Sequence, residues 1–138
     1  MDAGSEAYLG QAALDTEHQG QVDLLVQVEK ELCGAADPDR LALLLDHLIE
    51  FTDIHFMSEQ VLMRERAYAG MPAHEEEHNR LIEQMRSFHK RVKAGEHTLT
   101  VADVSGLRSW VLRHIQTKDA AFARYLGRTH DVRASARS

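Results

Sequence analysis

The sequence predicts an all-α protein: an up-down-up-down antiparallel four-helix bundle with a metal centre in its core. Glycine and proline punctuation divides the 138 residues into four long segments, and apolar residues recur within them at helical spacing. Seven potential metal ligands, five imidazoles and two carboxylates, fall on the same four segments in line with the apolar stripes.

One domain spanning residues 1–138 is expected, with an N-terminal arm over 1–14. The first helix runs from about Thr16 to Cys33 and stops at Gly34, a residue suited to the left-handed C-terminal position. Asp37 and Pro38 supply a cap and a first-turn proline for a second helix over about 38–68, ended by Gly70. Pro72 and the acids Glu75, Glu76 and Glu77 open a third over about 72–94, closed by Gly95. Thr100 and Asp103 form a capping-box pattern ahead of a fourth helix over about 101–126, with a polar, frayed tail over 128–138. The short connections leave successive helices antiparallel.

The inward stripes follow from the periodicity. Helix three aligns His74, His78, Leu81, Met85, Phe88 and Val92 in 4-3-4-3-4 spacing, the seam of a bundle. Helix two aligns Leu41, Leu44, Leu48, His55, Glu59 and Leu62, and helix one His18, Val22, Leu25 and Leu32. Helix four aligns Val104, Leu107, Val111, His114, Lys118 and Phe122, leaving Asp119 beside the line. Polar ligands at core positions are costly unless they bind something.

Composition narrows the function classes. A formal charge of −6 with no lysine- or arginine-rich block gives no footprint for nucleic acid. No apolar run approaches the ~20 residues of a membrane span, and the N-terminus lacks the basic and apolar regions of a signal peptide. Cys33 is the single cysteine, so no internal disulfide forms and a cytoplasmic location is expected; as a small apolar residue it is expected to be buried. His47, His89, His97 and His130 are read as structural or surface residues, and Met57, Met63, Met71 and Met85 as core filler.

The ligand segments are Asp15-Thr16-Glu17-His18, His55-Phe56-Met57-Ser58-Glu59, His74-Glu75-Glu76-Glu77-His78 and His114-Ile115-Gln116-Thr117-Lys118-Asp119. Four-residue spacing puts His55 with Glu59, and His74 with His78, on one helix face, close enough to converge on a metal. His114 and Asp119 are five apart, which in a regular helix turns them roughly 140° from each other. Either Asp119 reaches in from the flank or the helix carries a local wide turn. Five nitrogens and two carboxylates exceed what one metal takes and suit two neighbouring ions; the N/O set without thiolate favours iron, manganese or zinc.

Over about residues 8–126 these motifs, in this order, resemble the hemerythrins, most closely the single-domain bacterial ones. The resemblance implies two non-heme iron ions joined by an oxo or hydroxo group and bridged by Glu59 and Asp119. His74, His78 and His114 would cap one iron, and His18 and His55 the other, which keeps an open position. Dioxygen would bind there and be released unconsumed, for carriage, storage or delivery to a protein partner the sequence does not specify. The expected pocket walls are Phe56, Trp110, Val111 and Ile115. Tyr8 stands where bacterial members often have tryptophan, and Gln60, expected to face solvent, where a second acid often follows the bridging glutamate. Gln21 stands where the family usually places an apolar side chain over the oxygen pocket; its amide can hydrogen-bond a bound ligand or admit water.

An oxygen-binding protein is therefore expected rather than an enzyme. The alternatives keep the diiron site as a peroxidase or nitric oxide-handling enzyme, or as a stand-alone oxygen or redox sensor. His74-Glu75-Glu76-Glu77-His78 also satisfies the zinc-protease pattern with Glu75 as base, but that reading leaves His18, His55, Glu59, His114 and Asp119 without a role.

Overall fold

The computed structural model describes the backbone of residues 3–137 and the side chains of residues 16–128. Helix α1 spans Ala3–Cys33, α2 Pro38–Glu65, α3 Met71–Lys93 and α4 Val101–His114. A π-helical turn, Ile115–Asp119, joins α4 directly to α5, Ala120–Arg137, so that these three pieces make the fourth rod of the bundle. Around the bundle, α2 packs on α1 and α3, while α1 also packs on α4 and α5, and α3 on α4.

Local chemistry sets the helix ends. Asp37 accepts a hydrogen bond from the Asp39 amide with Pro38 in the first turn, a cap worth about 1 kcal/mol. Thr100 and Asp103 form the reciprocal capping box at the start of α4. Gly95 takes φ 78° after α3, and the Glu96 amide bonds back to the Arg91 carbonyl, which satisfies the last turn. The end of α2 differs from expectation. The left-handed residue there is Ala67, φ 52°, and the Tyr68 amide reaches back to the Met63 carbonyl. The same bonding pattern thus ends the helix ahead of Gly70 on a residue that pays a steric penalty of roughly 1 kcal/mol. Gly34 follows α1 without a positive φ.

The first and last rods are longer than the sequence suggested. Helical backbone begins at Ala3 rather than Thr16 and continues to Arg137 rather than ending near 126. Ala, Gln, Leu and Glu supply helix propensity over the early stretch, and no proline interrupts it. The side chains of Tyr8 and His130 lie outside the described residues.

The inward faces refine the predicted seams. Helix α3 buries His74, His78, Leu81, Met85, Phe88 and Val92, as its spacing requires. Helix α2 buries Leu41, Leu45, Leu48, Thr52, His55, Glu59 and Met63, with Leu44 and Leu62 only half-buried at the edge. Helix α1 turns Gln21, Leu25 and Val28 inward, and Val22 and Leu32 are half-buried. The apolar core accordingly has two parts. A large one joins Leu25, Leu45, Leu48, Leu81, Met85 and Leu107 among others, and a small one gathers Met63, Phe122 and Leu126. The histidines and carboxylates occupy the layer between them, a position that excludes solvent from both sides.

Two expected core residues face outward. Met57 is 62% exposed, because the turn that points His55, Phe56 and Glu59 inward leaves it on the opposite side of α2. Cys33 is exposed at the last turn of α1, while its neighbour Leu32 is the residue that packs on the large core. Met63 and Met85 are buried and Met71 is half-buried. No helix among the described residues is long and apolar enough to cross a membrane.

Candidate metal centre

The layer between the two cores holds two overlapping ligand groups. One comprises His74, His78, His114 and Asp119, the other His18, His55, Glu59 and Asp119; in each, one ligand atom per residue lies within 4.8 Å of the rest. All seven predicted ligands therefore meet in one place. His55, Glu59, His74, His78, His114 and Asp119 are buried, while His18 is partly exposed.

The π turn resolves the awkward spacing of His114 and Asp119. The Ala120 amide bonds to the Ile115 carbonyl, five residues back, so the turn holds one more residue than an α turn. The extra residue rotates Asp119 onto the inner face, where Oδ1 lies 3.0 Å from His114 Nε2. Asp119 takes the place in the seam that a regular helix gives to Lys118, and Lys118 is left half-exposed.

Both carboxylates touch the two groups at once. Asp119 Oδ2 lies 2.9 Å from His18 Nε2, and its Oδ1 lies 2.8 Å from His74 Nε2. Glu59 Oε1 lies 2.9 Å from His55 Nε2 and 3.6 Å from His78 Nε2, while Oε2 lies 3.4 Å from His74 Nε2. Apart from these contacts with one another, Nε2 of His55, His74, His78 and His114 and both oxygens of Glu59 and Asp119 have no hydrogen-bond partner. Buried polar atoms left in this way are costly, and so many converging on one point fit a cation site.

The electrostatics give the same reading. Burial opposes charge on His74, but hydrogen bonds and the charges of Asp119 and Glu59 outweigh it and push the imidazole up to about 9. His55 is raised in the same contest, by Glu59 and Glu17. Burial and the neighbouring His74 and His114 push His78 down to about 2. For Asp119, hydrogen bonds from His114, His18 and His74 overcome burial and hold the carboxyl far below its ordinary range. The two carboxylates thus favour a positive charge beside them at His74 and His55, while His78 is kept neutral.

Two residues that the sequence did not single out for the site support it from behind. His55 Nδ1 donates to Glu17 Oε2 at 2.8 Å, and His114 Nδ1 donates to Glu77 Oε1 at 2.6 Å. A carboxylate on Nδ1 fixes the tautomer whose Nε2 lone pair faces the centre and raises its basicity. Each is the immediate sequence neighbour of a ligand, Glu17 of His18 and Glu77 of His78, but serves a histidine on another helix. Their signal lay in that adjacency. Glu77, not Glu75, is the glutamate of the His74–His78 segment that enters the site.

The expected pocket walls divide. Phe56 is buried and stacks on His78 with ring centroids 3.6 Å apart and planes 3° apart. Val111 is buried, while Trp110 and Ile115 are half-buried against the edge of the large core. Gln21 is 1% exposed and donates from Nε2 to Thr52 Oγ1 at 3.1 Å. Gln21 follows His18 by three residues and Thr52 precedes His55 by three, which places this buried polar pair one helical turn from both histidines. Gln60, expected to face solvent, is half-buried.

Of the remaining histidines, His47 and His97 are exposed, and half-buried His89 meets Asp46 at 2.9 Å.

A four-helix bundle with two histidine groups sharing core carboxylates defines a class of protein: a bundle built around a dinuclear metal centre. The family model of the hemerythrin HHE cation binding domain matches residues 9–126. The chain is 29% identical over 134 residues to a bacteriohemerythrin of Ralstonia nicotianae, an alignment covering 96% of this chain and 94% of the relative. It is 26% identical over 108 residues to a bacteriohemerythrin of Methylococcus capsulatus, covering 78% and 82%. A crystal structure of wild-type hemerythrin superposes with a TM-score of 0.77 at 25% identity, covering 83% of this chain and 88% of the other. The protein belongs to the hemerythrin family. Its cofactor is the family's pair of non-heme irons, and it is a diiron protein of the oxygen-binding or oxygen-sensing kind.

Proposed function

We propose that this protein binds dioxygen reversibly, for carriage, storage or delivery, with His74, His78 and His114 on one iron and His18 and His55 on the other. Glu59 and Asp119, which lie against histidines of both groups, would be shared by the two metals, and the cytoplasm is the proposed location. The observation that supports this reading best is the unequal division of histidines around shared carboxylates, three against two. His18 and His55 would offer one histidine fewer to their metal than His74, His78 and His114 offer to theirs, which would leave room on that side for an exogenous molecule. A pair of irons held there would supply the two reducing equivalents that dioxygen binding calls on.

The chain's own residues make reversibility possible. Glu17 and Glu77 hold the imidazoles of His55 and His114 in one tautomer and orientation, so the site does not rearrange when its charge changes. The large apolar core on one side and Met63, Phe122 and Leu126 on the other keep out the water and protons that would make oxidation permanent. Phe56 covers His78 by stacking on it.

One observation favours a second reading, a site that consumes what it binds. The Gln21 amide is buried near the two-histidine side, where it offers hydrogen bonds that an apolar side chain cannot. The experiment that separates the two is anaerobic. The reduced protein is exposed to dioxygen and then purged with inert gas while its visible absorption is followed. Carriage gives a band that appears and disappears over repeated cycles; a single irreversible passage to the oxidised spectrum favours turnover or sensing.

A further inference from the structure

The large hydrophobic side chains that stand exposed among the described residues all lie on α2: Leu43 at 55%, Ile54 at 57%, Met57 at 62% and Val61 at 47%. They also lie on one face. With the exposed His47 and Glu50 between them, residues 43, 47, 50, 54, 57 and 61 follow the 4-3-4-3-4 spacing of a coiled-coil seam, turned away from the protein's own core. The seam runs from Leu43 to Val61, about 27 Å at 1.5 Å per residue. Next to it, α2 and α3 leave a groove of about 480 Å³ that Met57, Gln60 and Phe56 line and that reaches His78. Exposed Ile54, Met57 and Val61 thus stand together on one face, with Leu43 beyond His47 and Glu50, and such an apolar cluster rimmed by charge marks an interaction site.

We propose that the part of this stripe from His47 to Arg64 is the interface of a homodimer in which α2 packs antiparallel against α2 of a second copy, centred between Ile54 and Met57. Charge selects both partner and direction. Asp46 and Asp53, which flank the stripe, are already matched within the chain by His89 and Arg86, and Arg40 by Glu31. Exposed Glu50 and Arg64, at opposite ends of the Ile54-Met57-Val61 segment, pair with no described charged residue. In the antiparallel arrangement Ile54 meets Met57 of the second copy, and Glu50 lies over Val61 and reaches Arg64, which is flanked by His47. The two-fold axis makes every one of these contacts twice. A parallel pair sets Glu50 against Glu50 and Arg64 against Arg64, which is repulsive. The apolar side chains supply the affinity and the exposed ion pairs supply the register. The second copy also covers the mouth of the groove beside Met57 and Gln60.

Sedimentation equilibrium on the iron-loaded protein tests this. The wild type sediments at twice the 15.6 kDa chain mass. Ile54→Glu and Met57→Glu sediment as monomers with unchanged helicity and iron content, since neither residue touches the core. Glu50→Arg and Arg64→Glu each weaken association about tenfold, because each replaces two attractions with two repulsions. The double swap, E50R with R64E, restores the dimer. A wild type that stays monomeric at high concentration overturns the proposal. So does a dimer that ignores these substitutions, or a charge swap that fails to restore what its single changes removed.

Discussion

The two halves of the metal centre share their carboxylates and differ in almost everything else. The half with His74, His78 and His114 is buried throughout, draws two of its histidines from one helix, and carries the Phe56 stack on His78. The half with His18 and His55 draws one histidine from each of two helices, and His18 is partly exposed. It borders the Gln21–Thr52 pair where the other borders apolar side chains. In the proposed function this difference lets one half hold its metal and the other leave room beside it. The fold produces this asymmetry because α1 contributes a single ligand.

The largest effect is expected where the halves meet. Asp119→Ala and Glu59→Ala remove a group that both halves use, so iron per chain should fall from two towards none. Iron analysis of the purified variants checks this, and an intact pair in either one removes that carboxylate from the shared role. Breaking one half should be milder. His18→Ala should cost the dioxygen response and the occupancy of its own iron while the three-histidine iron is retained; equal loss of both irons would contradict the division.

The supporting carboxylates sharpen the comparison, because each half has one. Glu77→Gln and Glu17→Gln keep shape and remove charge, and each should weaken iron binding about 10–100-fold, the usual range for such partners. Competition with a chelator measures it. Glu77 should weaken the three-histidine half selectively, and Glu17 the two-histidine half.

Much of the bundle was legible because glycine, proline and capping residues punctuate it and ligands sit at core positions. The Asp37 cap and the Thr100–Asp103 box are local, and a sequence shows local chemistry well. What stayed hidden depends on packing. The five-residue spacing of His114 and Asp119 allowed a flank approach or a wide turn, and only the packed helix selects the π turn. Glu17 and Glu77 serve histidines on other helices, a relation no single segment reveals. Met57 shares a segment with His55 and Glu59 but faces away from them, and Ala67 shows that a helix can end on a left-handed residue other than glycine.

The smallest expected effect belongs to Gln21. Replacing it with leucine removes a buried amide while leaving every ligand in place, and leaves Thr52 to bond elsewhere. Permanent oxidation in air should slow by up to about tenfold, the scale of one hydrogen bond, with iron content unchanged. Stopped-flow decay of the oxygenated absorption compares the two proteins, and an unchanged or faster decay makes Gln21 a stabiliser of the bound state instead.

The inequality of the two halves is the central claim, and Mössbauer spectroscopy of protein loaded with ⁵⁷Fe and exposed to dioxygen reads it directly. Two distinct iron environments in equal amounts are predicted, with His18→Ala altering one and sparing the other. A single environment for both irons, or a centre holding one metal ion per chain, would contradict it.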